Sequence, residues 1–126
     1  MEISKLDHLV LTVTDLEKTA FFYGSVLGMV KEVFGDGRTA LKCGSQKINL
    51  HERGKEFEPK ANKPTPGSAD LCFITRTPLE DAMAHVRRCG VEIIEGPVER
   101  NGANAPLRSF YFRDPDDNLI EVANEI

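Results

Sequence analysis

The sequence predicts an α+β fold built from two similar halves. Three observations carry this. A strand, helix and three-strand pattern occurs twice along the 126 residues. Helix-ending glycines Gly28 and Gly90 lie 62 residues apart, and the same offset carries His8 onto Asp70. Strand segments alternate with period two, while two segments carry apolar residues at helical spacing. Two copies are too few and too long for a solenoid, so they imply a pseudo-symmetric sheet within a single domain.

In chain order, Leu6–Thr14 reads as the first strand, with Leu9, Leu11 and Val13 on one face and His8, Val10 and Thr12 on the other. Thr14-Asp15-Leu16-Glu17 has the form of a capping box with Thr14 as N-cap. The helix that follows carries Leu16, Ala20, Tyr23 and Leu27 on one stripe, widened by Phe22 and Val26, and stops at Gly28. Met29–Phe34, Thr39–Cys43 and Gln46–Glu52 are short strands, parted by Gly35-Asp36-Gly37 and Gly44-Ser45. Module one thus covers about residues 5–53. Residues 54–67 are rich in proline and charge and read as a linker or surface loop, a candidate lid or contact segment.

Module two, about residues 68–125, begins with the strand 68–75, in which Leu71 and Phe73 oppose Asp70, Cys72 and Ile74. Thr77-Pro78-Leu79-Glu80 is a second capping box, with proline at the first helical position. Leu79, Ala82, Met83, Val86 and Cys89 give the helix its stripe. Val91–Ile94, Leu107–Arg113 and Asn118–Ala123 complete the module. Asp114-Pro115-Asp116-Asp117-Asn118 is turn chemistry, because proline sets φ and Asx side chains fold back on their own backbone.

Each helix must bury its stripe on one sheet face. Leu9/Leu11/Val13, Ile48/Leu50, Leu71/Phe73 and Ile120/Val122 are the apolar faces that meet the helices. The opposite faces then carry His8, Asn49, His51, Asp70, Cys72 and Glu121. Imidazole and carboxylate groups on several strands are what a Zn, Ni, Mn or Fe(II) site requires. His85 reads as solvated and Cys72 as a small apolar filler. Arg76, Arg100, Arg108 and Arg113 are of the type that holds an anionic substrate group, though each taken singly reads as surface.

The net charge of −4 speaks against a nucleic-acid partner. No apolar run approaches the ~20 residues of a membrane span, so no membrane partner is expected. The N-terminal residues lack a signal-peptide pattern. Cys43, Cys72 and Cys89 form no close pairs, which together with that pattern suggests a cytoplasmic setting.

The chain resembles the vicinal oxygen chelate superfamily of glyoxalases, bleomycin resistance proteins and dioxygenases. Leu6-Asp7-His8-Leu9-Val10-Leu11-Thr12-Val13, Phe21-Phe22-Tyr23-Gly24-Ser25-Val26-Leu27-Gly28 and Phe112–Val122 carry the resemblance. Asn49-Leu50-His51-Glu52 and Gly54-Lys55-Glu56-Phe57-Glu58-Pro59-Lys60-Ala61 are similar to the subgroup of glyoxalase domain-containing protein five. The resemblance implies two βαβββ modules forming a curved mixed sheet, helices on its outer face and a divalent metal at its centre. It implies His8 and Glu121 as metal ligands, Glu121 doubling as catalytic base. Asp70 stands where the family usually has histidine, and Asn49 where it has Glu or Gln. His51, two residues on, is the better donor chemically. The expected metal set is therefore His8, His51, Asp70 and Glu121, taking Ni, Zn, Mn or Fe. The implied activity is a glyoxalase I-like lyase or isomerase on a small substrate with vicinal oxygens, with glutathione as co-substrate in the methylglyoxal hemithioacetal. The alternatives are an Fe(II) extradiol-type dioxygenase on His8, His51 and Glu121, thiol transfer to fosfomycin, and a metal-free binding or resistance protein. A homodimer, with the site completed by the second subunit, is implied as well.

Overall fold

The computed structural model describes all residues, Met1–Ile126, as two compact units, Met1–Pro66 and Gly67–Ile126. Each is a βαβββ module with its own four-stranded mixed sheet. No helix is long and apolar enough to cross a membrane.

The first module runs β1 (His8–Val13), α1 (Leu16–Leu27), β2 (Val30–Phe34), β3 (Arg38–Cys43) and β4 (Gln46–Glu52), in sheet order β1-β4-β3-β2. β1 and β4 are parallel, and the remaining pairs antiparallel. Leu11, Val13, Leu41, Ile48 and Leu50 are buried on one face, with Ala20, Tyr23 and Val26 of the helix. Glu52 lies on that face too, and its Oε2 accepts a bond from the backbone N–H of Leu16 at 3.1 Å, which fixes the start of α1 against the sheet. The N-cap is Asp15, whose Oδ1 accepts from Lys18 N–H at 3.0 Å. Thr14 is therefore not the cap, and Glu17 pairs with Lys31 at 3.2 Å instead of closing a box. Asp15 wins because it is ideally placed one residue later and carries a charge toward the helix N-terminus. Gly28 ends the helix at φ 69°, a left-handed turn that glycine adopts without steric cost.

The second module runs β5 (Asp70–Ile74), α2 (Leu79–Arg88), β6 (Glu95–Asn101), β7 (Pro106–Arg113) and β8 (Leu119–Glu125), in order β5-β8-β7-β6. β5 and β8 are parallel, which repeats the β1–β4 pairing. Phe110, Phe112, Ile120 and Val122 are buried beside Leu79, Met83 and Val86 of the helix. Arg108 shares the Phe110/Phe112 face and its guanidinium bonds Glu80 of α2, so this face is the helix side. That bond removes Glu80 from the expected second capping box. α2 starts after Pro78 with no side-chain cap.

The expected strand at Val91–Ile94 is not formed. Strand pairing begins instead at Glu95 and continues past a bulge to Asn101. The bulge holds Gly96 at φ 122°, where a Cβ would stand 2.6 Å from Cβ of Phe110. Only a residue without a side chain passes there.

The Asp114–Asn118 turn locks the module together. Asp114 Oδ1 accepts from the N–H groups of Asp116 (2.9 Å) and Asn118 (3.0 Å), and its Oδ2 from Asn118 Nδ2 (2.8 Å). Asn118, fully buried, accepts from Ala69 N–H at 2.8 Å and so ties the start of β5 to β8. Asn118→Ala removes the acceptor of the Ala69 N–H and the donor to Asp114 Oδ2. The expected loss is about 2–4 kcal/mol, read from denaturant unfolding of the variant against the parent.

Candidate functional site

In the first module, the parallel register sets Val10 beside Asn49 and Thr12 beside His51, with His8 beside Lys47. All six therefore share the face opposite the helix. His8 stands exposed at the strand start, and its Nδ1 lies 2.8 Å from Asp7 Oδ2. That hydrogen bond, first among the causes, lowers the pKa of the Asp7 carboxyl. A carboxylate on one ring nitrogen orients the other for a ligand, which is the usual second partner of a metal-binding histidine.

His51 is only 8% exposed, because the segment after β4 folds back over it. The Phe57 ring lies 5.9 Å from its ring, and the Arg38 guanidinium sits 4.6 Å from the Phe57 centroid on the same assembly. Val10, Thr12, His51, Pro59, Lys60 and Ala61 line a pocket of about 200 Å³. Asn49 places its Oδ1 out of solvent with no hydrogen-bond partner. A buried acceptor left in this way is costly and is satisfied by a donor or a cation.

In the second module, Cys72, Glu121 and Tyr111 are cross-strand neighbours on β5, β8 and β7. Asp70 lies on the same face, exposed at the start of β5. Ser109 Oγ donates to Glu121 Oε2 at 2.6 Å. Tyr111 and Cys72 both face Glu121, and its carboxylate raises the pKa of each. Arg100 Nε donates to the Tyr111 oxygen at 3.0 Å, and the far end of Arg100 pairs with Glu95 at 3.2 Å. Cys72 is exposed at the strand surface, yet partial desolvation of its thiol first, then the Glu121 charge, pushes it up to about 11. It is thus a protonated, weakly nucleophilic neighbour at neutral pH. Burial likewise raises the Tyr111 hydroxyl, against the opposing bond from Arg100.

The two modules match position for position. Val10 pairs with Asn49 as Cys72 pairs with Glu121, so Asn49 occupies the place of Glu121 in the first copy. His51 instead corresponds to Ala123. His8, Asn49 and His51 share one face, and Asp70, Cys72 and Glu121 another, as the period-two reading requires. No group of three His, Cys, Asp or Glu side chains within a module stands close enough to hold a metal ion. In the first module His8 is an imidazole backed by a carboxylate and Asn49 an orphaned amide oxygen; in the second, Glu121 is a carboxylate held by Ser109. Each taken singly is a donor type that divalent cations accept. Sequence reasoning missed Asp7, Ser109 and Tyr111, and it read Arg100 as surface without seeing that Arg100 bonds the Tyr111 oxygen. The signal for Ser109 and Tyr111 was present, because Leu107, Ser109 and Tyr111 alternate with Arg108, Phe110 and Phe112.

Comparison with known proteins agrees with the fold. The family model of the Glyoxalase/Bleomycin resistance protein/Dioxygenase superfamily matches residues 5–122. Virulence protein STM3117 of Salmonella typhimurium is 54% identical over 100% of this chain and 88% of its own length. Its crystal structure superposes with a TM-score of 0.98, covering 100% of both chains. An integron cassette protein from V. cholerae is 63% identical, with a TM-score of 0.97 over 98% of this chain and 97% of that one. Glyoxalase domain-containing protein RDO1 of Mycosarcoma maydis is 53% identical over 98% of this chain and 70% of its own. At 23% identity, a lactoylglutathione lyase from Agrobacterium tumefaciens (TM-score 0.74; 98% of this chain, 96% of that one) shares the fold. So does the fosfomycin resistance protein FosX from Listeria monocytogenes (TM-score 0.66; 97% and 90%). With nearly its whole length matched, and with the same paired βαβββ modules, the chain belongs to the Glyoxalase/Bleomycin resistance protein/Dioxygenase superfamily.

Proposed function

We propose that the protein is a divalent-metal-dependent lyase or isomerase of glyoxalase I type, acting on a small substrate with vicinal oxygens. One observation supports this above the others. His8 and Glu121 each stand on a helix-free face with a partner already holding them, Asp7 on one and Ser109 on the other. Partners of this kind orient a ligand side chain before an ion arrives. In this reading His8, Asp70 and Glu121 hold the cation, with His51 or Asn49 adding a donor from the first module. A bound Ni, Zn, Mn or Fe ion supplies Lewis acidity toward the two substrate oxygens. Glu121 moves the proton at its carboxylate, and Ser109 keeps that carboxylate in one orientation. The pocket beside His51 excludes water from part of the substrate. The hemithioacetal of methylglyoxal and glutathione is the first substrate to test. The fold shared with a lactoylglutathione lyase, and with a FosX crystallised with Mn(II), supports that choice.

In this reading the protein is a homodimer, and the donors to one cation are divided between the two subunits. Light scattering on the eluting protein is expected to give twice the mass of the chain. A cytoplasmic setting suits the three cysteines, none of which is in a disulfide.

The shortage of clustered donors within each module favours one competing reading, a metal-free small-molecule binding protein. Metal analysis separates the two. Untagged protein stripped and reloaded is expected to carry one divalent ion per chain and to form lactoylglutathione, while His8→Ala loses both. Substoichiometric metal after reloading with each of Ni, Zn, Mn and Fe(II) decides for the binding protein.

A further inference from the structure

We propose that Ser109 is a positioning residue for Glu121, fixing the carboxylate before any cation or substrate arrives. The proposal rests on the metal reading above and adds a residue to it. Ser109 is fully buried, and a hydroxyl in such a place is costly unless bonded. It has a single proton to give, and gives it to Glu121 Oε2 at 2.6 Å. Nothing in the packing calls for serine. Its cross-strand partner is Ala123, itself fully buried, so an apolar residue fills the opposite place. What the hydroxyl does supply is direction. Ser109 lies diagonally across from Glu121 and its hydroxyl reaches the carboxylate, while Tyr111 lies directly opposite on the same face.

The Tyr111 hydroxyl is itself anchored. Arg100 of β6 bonds the Tyr111 oxygen at 3.0 Å, and Glu95 holds Arg100 at 3.2 Å. Polar contacts thus hold Tyr111 from the edge strand β6, directly opposite the acid that Ser109 holds on β8. A glutamate has three side-chain torsions, and holding them before binding removes an entropy cost that the ligand must otherwise meet. Partners of this kind typically change metal affinity by roughly 10–100-fold when removed.

The test compares Ser109→Thr with Ser109→Val, which have nearly the same volume and differ in the hydroxyl. Ser109→Ala is measured beside them. Titration calorimetry with Mn(II) and Ni(II) alone gives the dissociation constants, and melting of the metal-free variants reports folding separately. S109T is expected to bind within about threefold of the parent, and S109V and S109A about tenfold or more weaker. A structural serine would lower the melting temperature of S109V and leave the affinity of the folded protein unchanged. Equal affinities for S109T and S109V overturn the proposal. If S109V and S109T do not fold, an S109A that binds as tightly as the parent overturns it as well. A parent protein that binds neither metal sinks the metal reading instead, and the role of Ser109 with it.

Discussion

Parallel pairing between the first and last strand of each module is the constraint on which the rest depends. β1 lies beside β4, and β5 beside β8, with no slip along either pair. A shift of one residue would turn every side chain of a strand to the other face. The register puts Leu11 and Val13 level with Leu50 and Glu52, so the apolar groups meet the helix together. His8, Asn49 and His51 are thereby directed to the other side. The polar face is thus a by-product of burying the apolar one. In the second module the sheet is completed by the Asp114–Asn118 turn, whose buried amide reaches Ala69 and secures the start of β5.

Much of this was legible from residue order. The strong alternation of β1 and β4 and the apolar stripes of both helices fixed the architecture, and the 62-residue offset revealed the duplication. Where reading failed, the reason is local. Thr14 and Asp15 are both good caps, and only the backbone decides which one turns toward Lys18 N–H. Val91–Ile94 looks more strand-like than Glu95-Gly96-Pro97-Val98, yet pairing starts at Glu95. An exposed edge strand with a bulge has no apolar pattern to betray it. Residues 54–67 read as surface loop, and they do lack strands and helices. Their use as a cover for His51 depends on Phe57, one aromatic residue in a polar segment.

The candidate site shows the same division. Faces follow from parity, so the alignment of His8 with His51 and of Asp70 with Glu121 could be read directly. Partnership does not follow from parity. Asp7 is adjacent to His8 and points to the same nitrogen only because the chain enters the strand in a particular direction. Ser109 appears as an ordinary small residue until its distance to Glu121 is known. His51 was preferred over Asn49 on donor chemistry, whereas the register gives Asn49 the place equivalent to Glu121. The two criteria, chemistry and position, select different residues of one strand.

That equivalence has an evolutionary consequence. A duplicated module offers two copies of one station, and here one holds a neutral amide and the other an anion. Charge on the polar face of each module is therefore adjustable in single-unit steps by exchanging Asn, Asp, Gln or Glu at its own station, with the backbone untouched. A lineage carrying this scaffold can retune what one polar face attracts without redesigning its core. The diversity of chemistries housed by one architecture is what such an adjustable pair of stations would produce.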